Sequence, residues 1–271
     1  MGVAAWAEAP PARGPARLFA GERCIAAVRG ATLRLAGFLL ACALLAPSPG
    51  LAEKLVLSTL EWPPFVGSEL PGQGRVAERV REISAAAGMR LELSFAPWKR
   101  VLLGVRTGSA QGYFPEYRSA EREKDFHYSV SVGCSVIGLI HRSDATLEWT
   151  RLEDLAPLRI GVVDGYVNTE EFDRLVARGI LRTVKCNSDI LAMRMVSAGR
   201  IDAAVMDREV FRHLLKQGDP SGSALSFHPR ILTTHTLHVC FPRTEAGSLL
   251  AERFDRAARA LGAVGCPAVP H

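Results

Sequence analysis

Five short segments set aromatic and charged side chains next to one another. They are Glu61-Trp62-Pro63-Pro64-Phe65, Pro97-Trp98-Lys99-Arg100, Phe114-Pro115-Glu116-Tyr117-Arg118 with Arg122 soon after, Asp164-Gly165-Tyr166-Val167-Asn168-Thr169, and the acid Asp207. The chemistry these groups offer is recognition. An aromatic face covers apolar or cationic surface. A guanidinium grips a carboxylate through two parallel hydrogen bonds. A carboxylate takes an ammonium, and the N–H groups at a helix start take an anion. Each group also has a purely structural use. Large aromatics pack, and Asp207, Asn168 and Thr169 stand where helix N-caps belong. Arg122 lies in the mixed charge run SAEREKDF, which reads as a solvated turn. HExxH, GxSxG, P-loop and GxGxxG motifs do not occur, and the seven histidines are scattered.

Each segment follows an apolar run that reads as a strand. Strands are expected over 54–60, 90–95, 111–114, 127–132, 135–142, 159–163, 180–186, 200–206 and 236–241. Helical periods run over 74–88, from Pro97 to Gly108, from Asn168 to Gly179, from Ser188, from Asp207, and over 245–261. Asn168 with Glu171, and Thr150 with Glu153, have the spacing of N-cap pairs, and Leu191 and Met195 are expected inward. Alternating strand and helix predicts a mostly parallel sheet, whose ligands sit beyond the carboxyl ends of the strands. Two such series of roughly 90 residues each predict two lobes. The strands 135–142 and 236–241 flank the second series, so the chain crosses twice, which makes a hinge rather than a tether.

The whole chain has 271 residues, 48% hydrophobic and 23% charged, an ordinary globular composition. Residues 1–52 carry three of the formal net charge of +5, so the bulk is nearly neutral and no nucleic-acid face is expected. The apolar run LAGFLLACALLA at 35–46 follows Arg29 and Arg34 and precedes PSPGLA, with Gly50 and Ala52 placed for cleavage before Glu53. This is the layout of a secretory signal, and the run is shorter than the about 20 residues a membrane span needs. Leu39-Leu40-Ala41 before Cys42 gives a rival lipid-anchor reading. Leu40 is bulky for that pattern and the apolar run continues past Cys42, which favours the soluble exported form. A start near Val28 would give a leader of ordinary length. Cleavage leaves Cys134, Cys186, Cys240 and Cys266, with no CxxC and no histidine at zinc spacing. Three full disulfide pairings stay open, beside the reading of buried free thiols.

Taken in order, EWPPF (61–65), APWKR (96–100), SAEREKDFHYS (119–129), LRIGVVDGY (158–166) and AGRIDAAVMD (198–207) resemble family 3 bacterial solute-binding proteins over roughly residues 54–262. The resemblance implies an α/β, two-lobed periplasmic-binding-protein-like fold of type II with a two-strand hinge. Residues 1–52 would be the signal-peptide region, 53–142 plus 236–271 lobe 1, and 143–235 lobe 2. It further implies a periplasmic, monomeric receptor, not an enzyme, that captures a small polar solute such as an amino acid for an ABC permease at the inner membrane. No cofactor or metal is expected. By position, Arg122 would hold a ligand carboxylate, Asp207 its ammonium, and Gly165 to Thr169 would add contacts from a helix start. The full set of expected contacts is Trp62, Trp98, Phe114, Tyr117, Arg122, Tyr166, Asn168, Thr169 and Asp207. The chain departs from the family where small hydroxyl residues usually precede the Arg: it has Phe114 to Ser119 there, and Tyr166-Val167 in the second-lobe loop. These departures put amino-acid specificity in question and leave aromatic, cationic or other small polar ligands open. Two other functions use the same fold: a cyclohexadienyl dehydratase-like enzyme with Glu61 or Glu116 as its acid, and a stand-alone sensor or accessory binding protein.

Overall fold

The structure is a computed structural model and describes residues 52–217, 224–262 and 266. The expected leader up to residue 51, Cys42 within it, and most of the expected tail lie outside the described residues. Nine strands form one curled sheet: β1 Glu53–Thr59, β2 Met89–Phe95, β3 Gly112–Tyr117, β4 Phe126–Tyr128, β5 Gly133–Arg142, β6 Arg159–Val163, β7 Arg182–Cys186, β8 Ala203–Asp207 and β9 Leu225–Pro242. Their order is β2-β1-β3-β9-β5-β8-β6-β7, with β4 also on β9. β1 pairs in parallel with β2 and β3, and β6 in parallel with β7 and β8. Between these two parallel halves run β5 and β9, antiparallel to each other, which carry the chain across and back. Sequential parallel strands need helical crossovers. Helices α1 Arg75–Ala86, α2 Trp98–Arg106, α3 Glu170–Ala177, α4 Asp189–Ser197, α5 Arg208–Lys216 and α6 Glu245–Ala260 cover the sheet.

Buried strands account for the near-continuous apolar runs in the sequence. Every residue of β3 and of β8 is buried, as are four of five in β6, because helices cover both faces. α1 turns Val76, Val80 and Ile83 inward, and α6 turns Leu250, Phe254 and Ala257 inward, as their spacing predicts. Asp207 caps α5, accepting from the N–H groups of Glu209 at 2.6 Å and Val210 at 3.0 Å.

Several local expectations are corrected. The cap of α3 is Thr169, whose hydroxyl accepts from Phe172 N at 3.0 Å, because the Asn168 amide is taken by Asp173 at 2.8 Å. At the short 3-10 turn Leu152–Leu155 the capping acid is Asp154, not Glu153: its Oδ2 accepts from the N–H groups of Thr150 and Arg151, both at 2.8 Å. In α4 the buried residues are Asp189, Ala192, Met193 and Val196, while Leu191 faces solvent. Leu261 ends outside its helix and is exposed. β9 begins eleven residues before the expected 236, since Leu225 to Leu237 is held by a ladder with β5 that no local alternation announces. Of the three open pairings, one bond forms: Cys134 joins Cys266, tying the segment after α6 back to β5. Cys186 and Cys240 are free and buried.

Candidate binding cleft

The loops at the carboxyl ends of both parallel halves face each other across β5 and β9. The first half contributes Trp62 and Trp98. After β1 the chain turns back on itself, with Trp62 and Val66 exchanging backbone hydrogen bonds at 2.8 and 3.1 Å, which fixes the Trp62 ring against Phe65 at 4.3 Å. Trp98 opens α2 behind Pro97, a residue suited to the start of a helix because it has no N–H to satisfy. β3 ends with Glu116 and Tyr117, beyond a break in its pairing with β9 that spans Phe114 and Pro115. The second half contributes Tyr166 from the loop after β6, Asp189 at the start of α4, and Asp207 at the end of β8.

Contacts across the cleft converge on one carbonyl. Trp98 Nε1 donates to Gly165 O at 3.0 Å, and Arg122 Nη2 donates to the same oxygen at 3.3 Å. Gly165 has φ +87°, and a Cβ there would stand 3.3 Å from the Trp98 ring, so this close approach needs glycine. Trp98 meets Tyr166 edge-on at 6.0 Å, Lys99 pairs with Asp164 at 2.5 Å, and His235 Nε2 hydrogen-bonds Asn168 O. Tyr117 stacks on His235 at 4.2 Å.

Three cavities share Trp62 and Tyr166 as walls, one of about 510 Å³ and two small ones of about 30 and 20 Å³. The acids on their walls are Glu61, Glu116, Asp189 and Asp207, and among the described residues no Arg, Lys or His lines any of the three. A hydroxyl chain fixes Asp207. Ser135 Oγ donates to Asp207 Oδ2 at 2.6 Å, so the Tyr117 hydroxyl, 2.6 Å away, must donate to Ser135. Burial pushes the Asp207 carboxyl up, against the Ser135 and backbone hydrogen bonds that hold it down. Burial, with the charge of Asp207 added, pushes Asp189 up to about 7, although the Tyr166 hydroxyl hydrogen-bonds it. Burial likewise raises Glu116 to about 7 and outweighs Arg122 and the Tyr113 hydroxyl at 3.0 Å.

The nine expected contacts therefore divide. Trp62 and Tyr166 line all three cavities, Trp98 and Tyr117 two each, and Asn168 and Asp207 the smallest. Arg122 stands behind them: its Nε is 3.2 Å from Glu116 Oε2, an ion contact not aligned as a hydrogen bond, and it lines none of the three. Phe114 has no exposed surface and packs in the core. Thr169 faces a separate groove with Trp149 and Arg230. Sequence reasoning missed Asp189, which follows the strand exit at Cys186 just as Asp207 follows that of β8, and hides behind the capping role of Ser188. It also missed His235, which lies in the unexpected half of β9.

No family model matches the chain, and no curated protein matches it. Solved structures do. A histidine kinase sensor domain with similarity to periplasmic binding proteins superposes with a TM-score of 0.68 at 18% identity, over 77% of this chain and 91% of that one. A glycine-to-alanine mutant of arginine-bound ArgBP from T. maritima gives 0.65 at 17%, over 77% and 95%. The GluR0 ligand-binding core from Nostoc punctiforme, in complex with L-glutamate, gives 0.62 at 18%, over 76% and 92%. Together with the strand order, these matches bear out at the level of the fold the resemblance to family 3 solute-binding proteins: this chain has the two-lobed periplasmic-binding-protein-like α/β fold with a two-strand hinge.

Proposed function

We propose that this chain is an exported solute-binding receptor, not an enzyme, which closes its two lobes on a small polar solute and presents it to an ABC permease at the inner membrane. The observation that carries the reading is the set of shared cavities, walled by Trp62 and Trp98 from one half of the sheet and by Tyr166, Asp189 and Asp207 from the other. Such an arrangement buries a ligand only when the halves come together, and two antiparallel strands between them allow rotation. We take residues 53–142 with 236–271 as the first lobe and 143–235 as the second. Trp62, Trp98, Tyr117, Tyr166, Asn168 and Asp207 contact the solute. Arg122 acts from behind, as the clasp between Glu116 and Gly165. The disulfide Cys134–Cys266 suits an oxidising compartment, in keeping with export of a monomer to the periplasm. Among the described residues no helix is long and apolar enough to cross a membrane.

The likeness to a histidine kinase sensor domain supports a second reading, a receptor that reports the solute to a signalling partner instead of an importer. Both readings require capture. A thermal-shift panel of amino acids, amines, organic acids and sugars, followed by calorimetry on each hit, tests it. At least one compound should raise the melting temperature in proportion to its occupancy. If no class in the panel binds, the receptor reading fails. Co-purification with a permease, or with a kinase, then separates the two.

A further inference from the structure

The walls of the cleft are acidic where a receptor for a zwitterion needs both signs. Asp189 and Asp207 share the smallest cavity, at 9% and 2% exposure. The cation that the sequence offered for a ligand carboxylate is committed within the chain: Arg122 pairs with Glu116 and donates to Gly165 O. The cation that acts on Asp207 is Arg75, which lies exposed over the Phe65 ring and reaches the acid only through space. Lys99 and Lys185 are held at Asp164. The protein thus supplies a buried pair of carboxylates, aromatic faces around them, and, among the described residues, no cationic side chain on the cavity walls. Buried carboxylates that face one another are costly unless a proton or a cation joins them, and a bound cation lets both ionise. A second, independent feature points to a ligand. Trp62 is 95% buried on its 5% exposure, its ring walls all three cavities, and its Nε1 has no hydrogen-bond partner. A buried N–H without an acceptor is rare. A cation cannot satisfy it, so the same ligand must bring an acceptor oxygen.

Resting on the receptor reading above, we propose that the solute is an organic cation whose remaining polar group is a neutral hydrogen-bond acceptor, with Asp189 and Asp207 taking the positive charge and Trp62 Nε1 the acceptor. Asp189 is then the residue that sets the charge class. Its place on α4 lets it meet the far side of a cation whose near side Asp207 holds. Trp62, Tyr117 and Tyr166 wall the same cavity. A free α-carboxylate would enter a cavity wall that already carries negative charge, with no guanidinium to receive it.

Amide and acid pairs test this directly, because an amide keeps the carbonyl and removes the charge. L-argininamide with L-arginine, and L-lysinamide with L-lysine, are titrated calorimetrically into the protein, with L-glutamate and succinate alongside. The amide of at least one pair should bind about tenfold or more tightly than its acid. Asp189→Asn should weaken that amide by about tenfold or more, and Trp62→Phe, which keeps the ring and removes the N–H, by about fivefold. Circular dichroism establishes that both variants are folded. The inference is overturned if the acid is the tighter member of each pair, if neither amide binds, or if Asp189→Asn binds the amide as well as the parent does. Binding of glutamate or succinate in place of the amides would overturn it too, while leaving solute capture intact.

Discussion

Replacing Asp189 with Asn should make the ligand-free protein more stable, and only at higher pH. Burial and the charge of Asp207 raise the Asp189 carboxyl from its ordinary 3.8 to about 7. The groups facing it are Asp207 from β8, the Tyr166 hydroxyl from the loop after β6, and the Cys186 thiol from β7, with Tyr117 across the cleft. Between about pH 4 and pH 7 the folded state holds a proton that the unfolded state has released. Stability therefore falls as pH rises through that interval, and above it the loss is complete. The interval corresponds to on the order of 4 kcal/mol. Opening of the cleft hydrates the carboxylate and trims the effect, so about 2–4 kcal/mol is expected. Asn keeps the size of the side chain and an oxygen for the Tyr166 hydroxyl but carries no charge. For a chain of this length about 1 kcal/mol moves the melting temperature by about 2–4 °C. The variant should thus melt roughly 5–15 °C above the parent at pH 8.5 and close to it at pH 4. Glu116 titrates in the same direction but is present in both proteins, so the difference isolates Asp189. Equal melting temperatures at both pH values, or a lower one for Asn at pH 8.5, would refute the argument that this carboxylate is held at a cost.

Three further outcomes are expected. Arg122→Ala leaves Glu116 buried without its cation and should cost about 3–5 kcal/mol in urea unfolding, with Arg122→Lys recovering part; a loss under 1 kcal/mol would remove Arg122 from the clasp. Cys134→Ser opens a closed segment of 132 residues and should lower unfolding stability by about 2–5 kcal/mol, read from the denaturant midpoint, whereas an unchanged midpoint would mean the bond adds nothing. Of the described tryptophans, Trp62 and Trp98 wall the cleft and Trp149 does not, so bound solute should change the fluorescence of Trp149→Phe but not of Trp62→Phe, Trp98→Phe; the reverse pattern would place the solute elsewhere.

The fold was readable because its signals are local and repeat. Each helix of the parallel halves shows an apolar period, Gly88, Gly108 and Gly179 adopt positive φ just past helix ends, and apolar runs mark the covered strands. What escaped was set by pairing over distance. Leu225 to His235 is a strand because β5 holds it, and its own sequence, with Pro229 and two histidines, carries no alternation. The choice of Thr169 over Asn168 as cap turned on whether Asp173, five residues on, would take the Asn amide. The site divides along the same line. Aromatic residues after strands reached the cleft, since a strand exit aims whatever follows it. Charges did not follow so simply, because the partner of a charge is a tertiary fact.

Arg122 carries that point furthest. It reaches between the two halves of the sheet, to the Gly165 carbonyl. Its function there depends on residue 116, six positions earlier. With a neutral residue at 116 the guanidinium would lack its internal carboxylate. Glu116, buried at 3% exposure and 3.2 Å from Arg122 Nε, supplies that carboxylate from within. The pair then serves closure: one guanidinium reaches from Glu116 of β3 to the Gly165 carbonyl of the opposite half, beside the Trp98 N–H that converges on the same oxygen. Closing the lobes no longer needs a ligand anion to neutralise Arg122. The charge left unanswered in the cleft belongs to Asp189 and Asp207, and that imbalance, not the presence of an arginine, is the ground on which the proposed solute is a cation.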